Sequence, residues 1–292
     1  MKTKINFVLI VALLSVSTSS IIARFLPEVS AVVISFWRLS IASLLVWTYT
    51  GFNHQVSLDK KNHKLYILSG LFLALHFTCF YGAVKHTSIA NATLLGITAP
   101  MFTILFEKYI LKRSLKPLVL LGFVIALCGT IIIYGSGPII NDGSMLGKLF
   151  GLFAALFIAL VYILANKLRV NTNTIAYTRM LYTIGAFFLL IISIISGNNV
   201  IAVQSNQVVW LILLGIVPTI LGHSLFYYAI KYTSPTIIAS VPLGEPIIAS
   251  ILAWILFLEE IPVITLIGGI FILWGVYFII TNSPRTHLTE NY

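Results

Sequence analysis

Apolar residues run in long blocks along this chain, with polar residues gathered in short stretches between them. The blocks fall near residues 5–22, 29–49, 65–84, 88–106, 117–134, 146–165, 174–196, 208–230, 235–258 and 262–281. Most approach the roughly 20 residues a helix needs to cross a hydrocarbon core about 30 Å thick. They do not alternate with the period of two that marks a membrane barrel strand. The pattern predicts an all-α, polytopic membrane protein with ten transmembrane helices. The separators carry turn chemistry, most clearly the linker Ser136–Ser144, rich in Gly, Pro, Asn and Asp. The first block follows Lys2 and Lys4 and has the look of a signal peptide. Its length and its place in the repeat described next predict a retained helix instead.

The nonapeptide FYGAVKHTS at 80–88 returns as FYYAIKYTS at 226–234, an offset of 146 residues, half of the 292. The same offset relates Pro100 to Pro246, Gly122 to Gly268, Leu127 to Leu273 and Gly129 to Gly275. The chain therefore reads as two copies of one unit, 1–135 and 146–282, with a linker at 136–145 and a tail at 283–292. Each unit holds five blocks. Because five is odd, the second unit enters from the opposite face, which predicts two inverted five-helix repeats. With the N-terminus inside, the inner segments carry thirteen Lys and Arg and the outer ones three, Arg24, Lys85 and Lys148. That bias predicts that both termini are cytoplasmic.

Composition narrows the function classes. Charged residues make up 9%, against about 25% in a soluble domain, and the mean hydropathy is +1.02. The net charge of +10 sits mostly in short connections, where it orients helices, so no nucleic-acid partner is expected. Cys79 and Cys128 lie inside apolar blocks without metal spacing. No metal and no cofactor are expected. Neither a phosphate-binding glycine loop nor a His-Glu-x-x-His or nucleophile-elbow motif occurs, which argues against an ATP-driven pump and against an enzyme.

Charge inside a bilayer costs several kcal/mol and marks functional candidates. Glu245 lies about eleven residues into its block, near mid-membrane at about 1.5 Å per residue. Pro242, Gly244 and Pro246 loosen the same turn, so a broken helix presenting a carboxylate is expected there, with Pro100 as the repeat mate of Pro246. Arg38 lies about 12 Å deep, and its planar guanidinium suits a carboxylate or phosphate. Arg179 stands in the matching place of the second unit and is shallower, within reach of the surface by snorkelling. Trp37, Tyr81, Tyr227 and Asn91 complete the candidate solute-binding set; for the aromatics, ordinary packing or an interfacial belt is the competing reading. His76 and His223, in repeat-related helices, are candidates for a proton relay or for hydrogen bonds within the bundle. Lys85 and Lys231 sit at the same helix turn in both units, as gate residues or as partners of the last helix carbonyls.

These residues resemble a known family. Two five-helix halves, Gly244-Glu245-Pro246 followed by AWILFLEE (253–260), the glycines Gly268 and Gly275, and Arg38 and Arg179 in SFWRLS and AYTRML are similar to the EamA-type transporters of the drug/metabolite transporter superfamily. The first half departs from the pattern at Leu111-Lys112-Arg113, where a Leu-Gly-Glu type sequence is usual. The resemblance implies a secondary transporter in the cytoplasmic membrane, exporting a small metabolite such as an amino acid or an amphiphilic molecule by alternating access. Other readings are a sugar or nucleotide-sugar carrier and, in a different class, a lipid-linked flippase subunit or membrane scaffold. The partners expected are a small-molecule solute, the lipid bilayer and a second copy in a homodimer.

Overall fold

The structure is a computed structural model, and it describes residues 2–51, 60–86, 98–113, 116–135, 145–258 and 263–282. The expected blocks are helical where described: α1 (Thr3–Ala23), α2 (Ala31–Gly51), α3 (His63–His86), α4 (Ala99–Tyr109), α5 (Pro117–Gly135), α6 (Met145–Leu168), α7 (Thr174–Ile195), α8 (Ser205–Ala229), α9 (Pro235–Phe257) and α10 (Val263–Asn282). Seven of them, α1, α2, α3, α6, α7, α8 and α9, are long and apolar enough to cross a membrane. The apolar stretches of α5 and α10 are shorter, Pro117–Ile132 and Leu266–Asn282. The start of the fourth block, with Asn91, and the 136–144 linker lie outside the described residues.

Local chemistry sets the helix ends. Asn173 accepts a hydrogen bond from the Ala176 N–H at 2.7 Å and opens α7. Gln204 and Gln207 form a reciprocal capping box at the start of α8. Ser234 accepts from the Ile237 N–H ahead of α9, with Pro235 in the first turn, where its missing donor costs nothing.

Three spans are not uniform. α1 breaks at Ser17, where the hydroxyls of Ser15, Ser17 and Thr18 donate to the carbonyls of Val11, Leu13 and Ser15 at 2.7–2.8 Å. Such back-bonding competes with the helix ladder and bends it. α8 widens into a π-helix over Gly215–His223, around Pro218. α9 tightens into a 3₁₀ turn at Val241–Gly244 and resumes as an α-helix at Glu245, at the position the Pro242, Gly244 and Pro246 pattern predicts.

The packing pairs the two halves. Repeat-related helices touch each other, α5 on α10, α2 on α7 and α4 on α9. Crossed contacts also come in matched pairs: α3 on α6 with α8 on α1, and α3 on α7 with α8 on α2. The α5–α10 contact runs through the four repeat glycines. A Cβ on Gly122 would lie 2.7 Å from the Gly275 carbonyl oxygen, and one on Gly129 would lie 2.5 Å from that of Gly268. The early glycine of α5 meets the late glycine of α10, so the two helices run antiparallel. Small residues allow this approach, and dispersion at close range is what holds helices together without water. The outer surface exposes Leu120, Val124, Ile131, Leu266, Ile270 and Leu273. Such a belt suits hydrocarbon, where every backbone polar group must be satisfied within the helices.

Candidate functional site

Where the halves meet, α1, α2, α3, α4, α6, α8 and α9 enclose a cavity of about 100 Å³. That is several times the space one water needs. Its polar wall holds Arg38, Glu245, His76, His223 and Ser19; its apolar wall includes Phe77, Phe80, Tyr162 and Phe226. Phe80 and Phe226 are the first residues of the two nonapeptide copies, so the repeat places one ring from each half in the same cavity.

Arg38 is 1% exposed, a burial that a guanidinium tolerates only when its donors are matched. Nε donates to Thr219 Oγ1 at 2.7 Å. Nη1 donates to Ser19 Oγ and to Tyr81 Oη, both at 2.9 Å. The guanidinium lies 4.1 Å from the centre of the Phe77 ring, a cation–π contact that adds to its hold. Of the five N–H groups, three are therefore engaged. Nη2 carries the other two and has no hydrogen-bond partner. Glu245 lines the same cavity at the first turn of the resumed α9 helix. Among the described residues no ion pair closes Arg38 onto Glu245.

The histidines belong to this cavity. His76 Nδ1 donates to the Ala154 carbonyl at 2.8 Å, which fixes its proton on that nitrogen, since a carbonyl only accepts. His223 stands edge-on to Phe77 at 5.2 Å, and its Nδ1 has no partner. Tyr81 belongs through its bond to Arg38. Tyr227 is fully buried between Tyr162, Tyr177 and His223, and its hydroxyl is unpartnered.

The other candidates lie elsewhere. Arg179 is buried against Trp47, 4.6 Å from the ring centre, at the α2–α7 contact and not in the cavity. Trp37 donates to the Val200 carbonyl at 2.8 Å and ties α2 to the α7–α8 connection. Lys85 donates to the Pro27 carbonyl at 2.7 Å, bridging to the α1–α2 connection rather than capping its own helix. Lys231 lies in the turn after α8; the end carbonyls of that helix are taken by others, Tyr227 by Arg169 at 3.0 Å and Ile230 by Asn166 at 3.1 Å. Pro100 and Pro246 each occupy the first turn of a helical stretch. Asn91 is outside the described residues.

A second polar network, unread in the sequence, ties one end of the bundle. Glu107 is 1% exposed. It accepts from Thr236 Oγ1 at 2.7 Å and pairs with Arg113 at 3.5 Å. Arg113 also donates to Asn166 Oδ1 at 3.1 Å. At the same end, Arg169 donates to the Thr172 carbonyl and to Thr174 Oγ1, and Tyr66 bonds Thr172. Glu107 falls one residue beyond the block boundary at 106, among basic residues, and so reads as part of a solvated connection. Thr219 lies inside the apolar block 208–230, where a lone hydroxyl carries no signal of its own. Its neighbour Pro218, in the middle of that block, predicts a local departure from the α-helix.

Long apolar helices whose buried polar groups lie at a central cavity and in a network at one end of the bundle define a multi-pass membrane protein. A family model for EamA-like transporters matches residues 3–135 and again 145–281, one copy per half. The chain belongs to the EamA-like transporter family, a family of membrane transporters and not of enzymes. It is 24% identical over 285 residues to an uncharacterized transporter of Archaeoglobus fulgidus, covering 95% of this chain and 97% of that protein. It is 24% identical to a pseudopaline exporter of Pseudomonas aeruginosa, covering 90% of this chain and 92% of that one. An uncharacterized transporter of Clostridium kluyveri is 28% identical over 66% of this chain and 64% of its own length. A solved crystal structure superposes with a TM-score of 0.78 at 16% identity, over 95% of this chain and 96% of that chain, which shows the shared fold.

Proposed function

We propose that this protein is a secondary transporter of the cell membrane that moves a small amphoteric metabolite, such as an amino acid, outward by alternating access. The observation that carries the reading is the central cavity, where Arg38 keeps two N–H donors unpaired beside Glu245. A guanidinium with free donors suits a carboxylate, and a carboxylate nearby suits an amine. Phe77, Phe80, Tyr162 and Phe226 suit an apolar body between them. The export of pseudopaline by one relative supports the outward direction.

The reading takes the chain as ten spans in two inverted halves, both termini in the cytoplasm. The paired contacts between repeat-related helices and the antiparallel α5–α10 seam support that arrangement. The positive-inside bias puts the Glu107 end in the cytoplasm. Its hydrogen bonds and ion pair join α4, α6, α8 and α9, so opening toward the cytoplasm means breaking them. A cavity of about 100 Å³ is small beside ligand sites of roughly 300–1,000 Å³, as a contracted state of a rocking pair would be. Counterflow in proteoliposomes tests the solute class. Uptake of at least one of the twenty amino acids is expected. Uptake of nucleotide sugars alone, or of no free solute, overturns it.

A further inference from the structure

We infer that Thr219, held in the π-helical segment of α8, is the positioning residue that reserves Arg38's remaining nitrogen for the carboxylate of the solute. The inference rests on the reading of Arg38 as the anion-binding group.

The argument begins at Pro218. In an α-helix the carbonyl of Leu214 takes its hydrogen bond from the N–H of residue 218. Pro218 has no N–H, and the helix responds by widening so that acceptors are met five residues on. Thr219 Oγ1 then donates to that same Leu214 carbonyl at 2.7 Å. A hydroxyl has one proton and two lone pairs. Its proton is committed to Leu214, so toward Arg38 it is an acceptor, and Nε donates to it at 2.7 Å.

The surroundings hold Thr219 in place. Its carbonyl accepts from the Ser224 N–H, five residues on, and from the Tyr182 hydroxyl at 3.2 Å. The π segment can approach α2 because it opens at Gly215, where a Cβ would lie 2.6 Å from Ile41. It can approach α1 because of Gly222, where a Cβ would lie 2.7 Å from Val16. With Nε on Thr219 and Nη1 on Ser19 and Tyr81, the guanidinium plane has no remaining freedom to rotate. Nη2, buried and without a hydrogen-bond partner, is the nitrogen left over on a residue that lines the cavity. The same π segment ends at His223, which also lines the cavity. One irregular stretch thus supplies one cavity residue, His223, and the acceptor that holds another, Arg38.

The test compares binding of the twenty amino acids and of the corresponding amides to purified protein, read by thermal stabilisation. The readout is the affinity ratio of the most stabilising amino acid to its own amide. Thr219→Val keeps the shape but loses the acceptor, and the ratio should fall about tenfold. Thr219→Ser keeps the acceptor, and the ratio should stay within about threefold of wild type. In an Arg38→Gln background Thr219→Val should leave the ratio unchanged, since a residue acting through Arg38 has nothing left to act on. A structural role alone would weaken acid and amide alike, or persist without Arg38, and either result overturns the inference. If Arg38→Gln itself leaves the ratio unchanged, or no amino acid binds, the reading of Arg38 fails first and this inference with it. If Arg38→Gln lowers the ratio while Thr219→Val does not, the inference alone fails.

Discussion

Replacing Gly275 by alanine should loosen the α5–α10 seam, and the structure sets the size of the effect. The new Cβ would meet the Gly122 carbonyl, with the Ala126 nitrogen at 2.5 Å and the Ala126 Cβ at 2.6 Å. Ordinary contact begins near 3.4 Å, so the shortfall is about 0.9 Å, and the obstacles are mostly backbone. The helices must move apart. A gap of that size forfeits roughly a quarter to a half of the dispersion energy of the contacts it opens. Overpacking of this kind costs about 1–3 kcal/mol, against a helix-propensity gain of up to about 1 kcal/mol for Gly to Ala. The control lies in the same helix. A Cβ on Gly269 would meet only the Ile247 side chain at 3.5 Å, an ordinary contact. Gly269→Ala should therefore be neutral or slightly stabilising. Thermal unfolding of the purified variants in one detergent measures the difference. Equal melting temperatures for Gly275→Ala and Gly269→Ala would refute the close antiparallel seam, and with it the crosswise meeting of the repeat glycines.

Two further outcomes test the two ends of the molecule, and a third tests coupling. Glu107→Ala leaves Arg113 and Thr236 without their partner; because Arg113 is 31% exposed, the loss should be about 1–2 kcal/mol rather than the roughly 3–5 of a fully buried pair. It should also speed thiol labelling of Ser240→Cys, a fully buried position of α9, from the cytoplasmic side. Single cysteines at 136–144, on a cysteine-free background, should react with an impermeant reagent from outside intact cells; labelling only after lysis would refute the inverted ten-span reading. Glu245→Gln should insert and fold normally but flatten the pH dependence of transport, because an amide cannot release a proton; an unchanged pH profile in proteoliposomes would return Glu245 to a structural role.

Much of the fold was legible because a bilayer leaves few choices. Long apolar blocks can only be helices, and an offset of 146 sets Gly122, Gly129, Pro100 and Tyr81 against Gly268, Gly275, Pro246 and Tyr227. The break at Glu245 was legible for the same reason, since Pro242, Gly244 and Pro246 cannot sit together in an unbroken α-helix. Arg38 and Glu245 stood out because charge in apolar surroundings needs a reason. The sharing of Arg38's donors among three hydroxyls was not legible. Ser19, Tyr81 and Thr219 come from three different helices, and a hydroxyl in a membrane helix most often bonds its own backbone. Arg179 shows the limit from the other side. A matching position in the second half predicted a matching role, but a neighbouring Trp47 on α2 took the guanidinium. Glu107 was hidden by its neighbours Lys108, Lys112 and Arg113, which make it look solvated until Thr236, 129 residues on, is seen to bond it.

The central claim is that Arg38 holds the acidic group of the solute. Lysine keeps the charge but has only three N–H donors. The three hydroxyls of Thr219, Ser19 and Tyr81 already engage three on the arginine. An ammonium satisfied by them has none left for a solute. Titration of purified wild-type and Arg38→Lys protein with the most stabilising amino acid should show affinity at least tenfold weaker in the variant, at similar unliganded stability. Equal affinity in the two proteins would contradict the account.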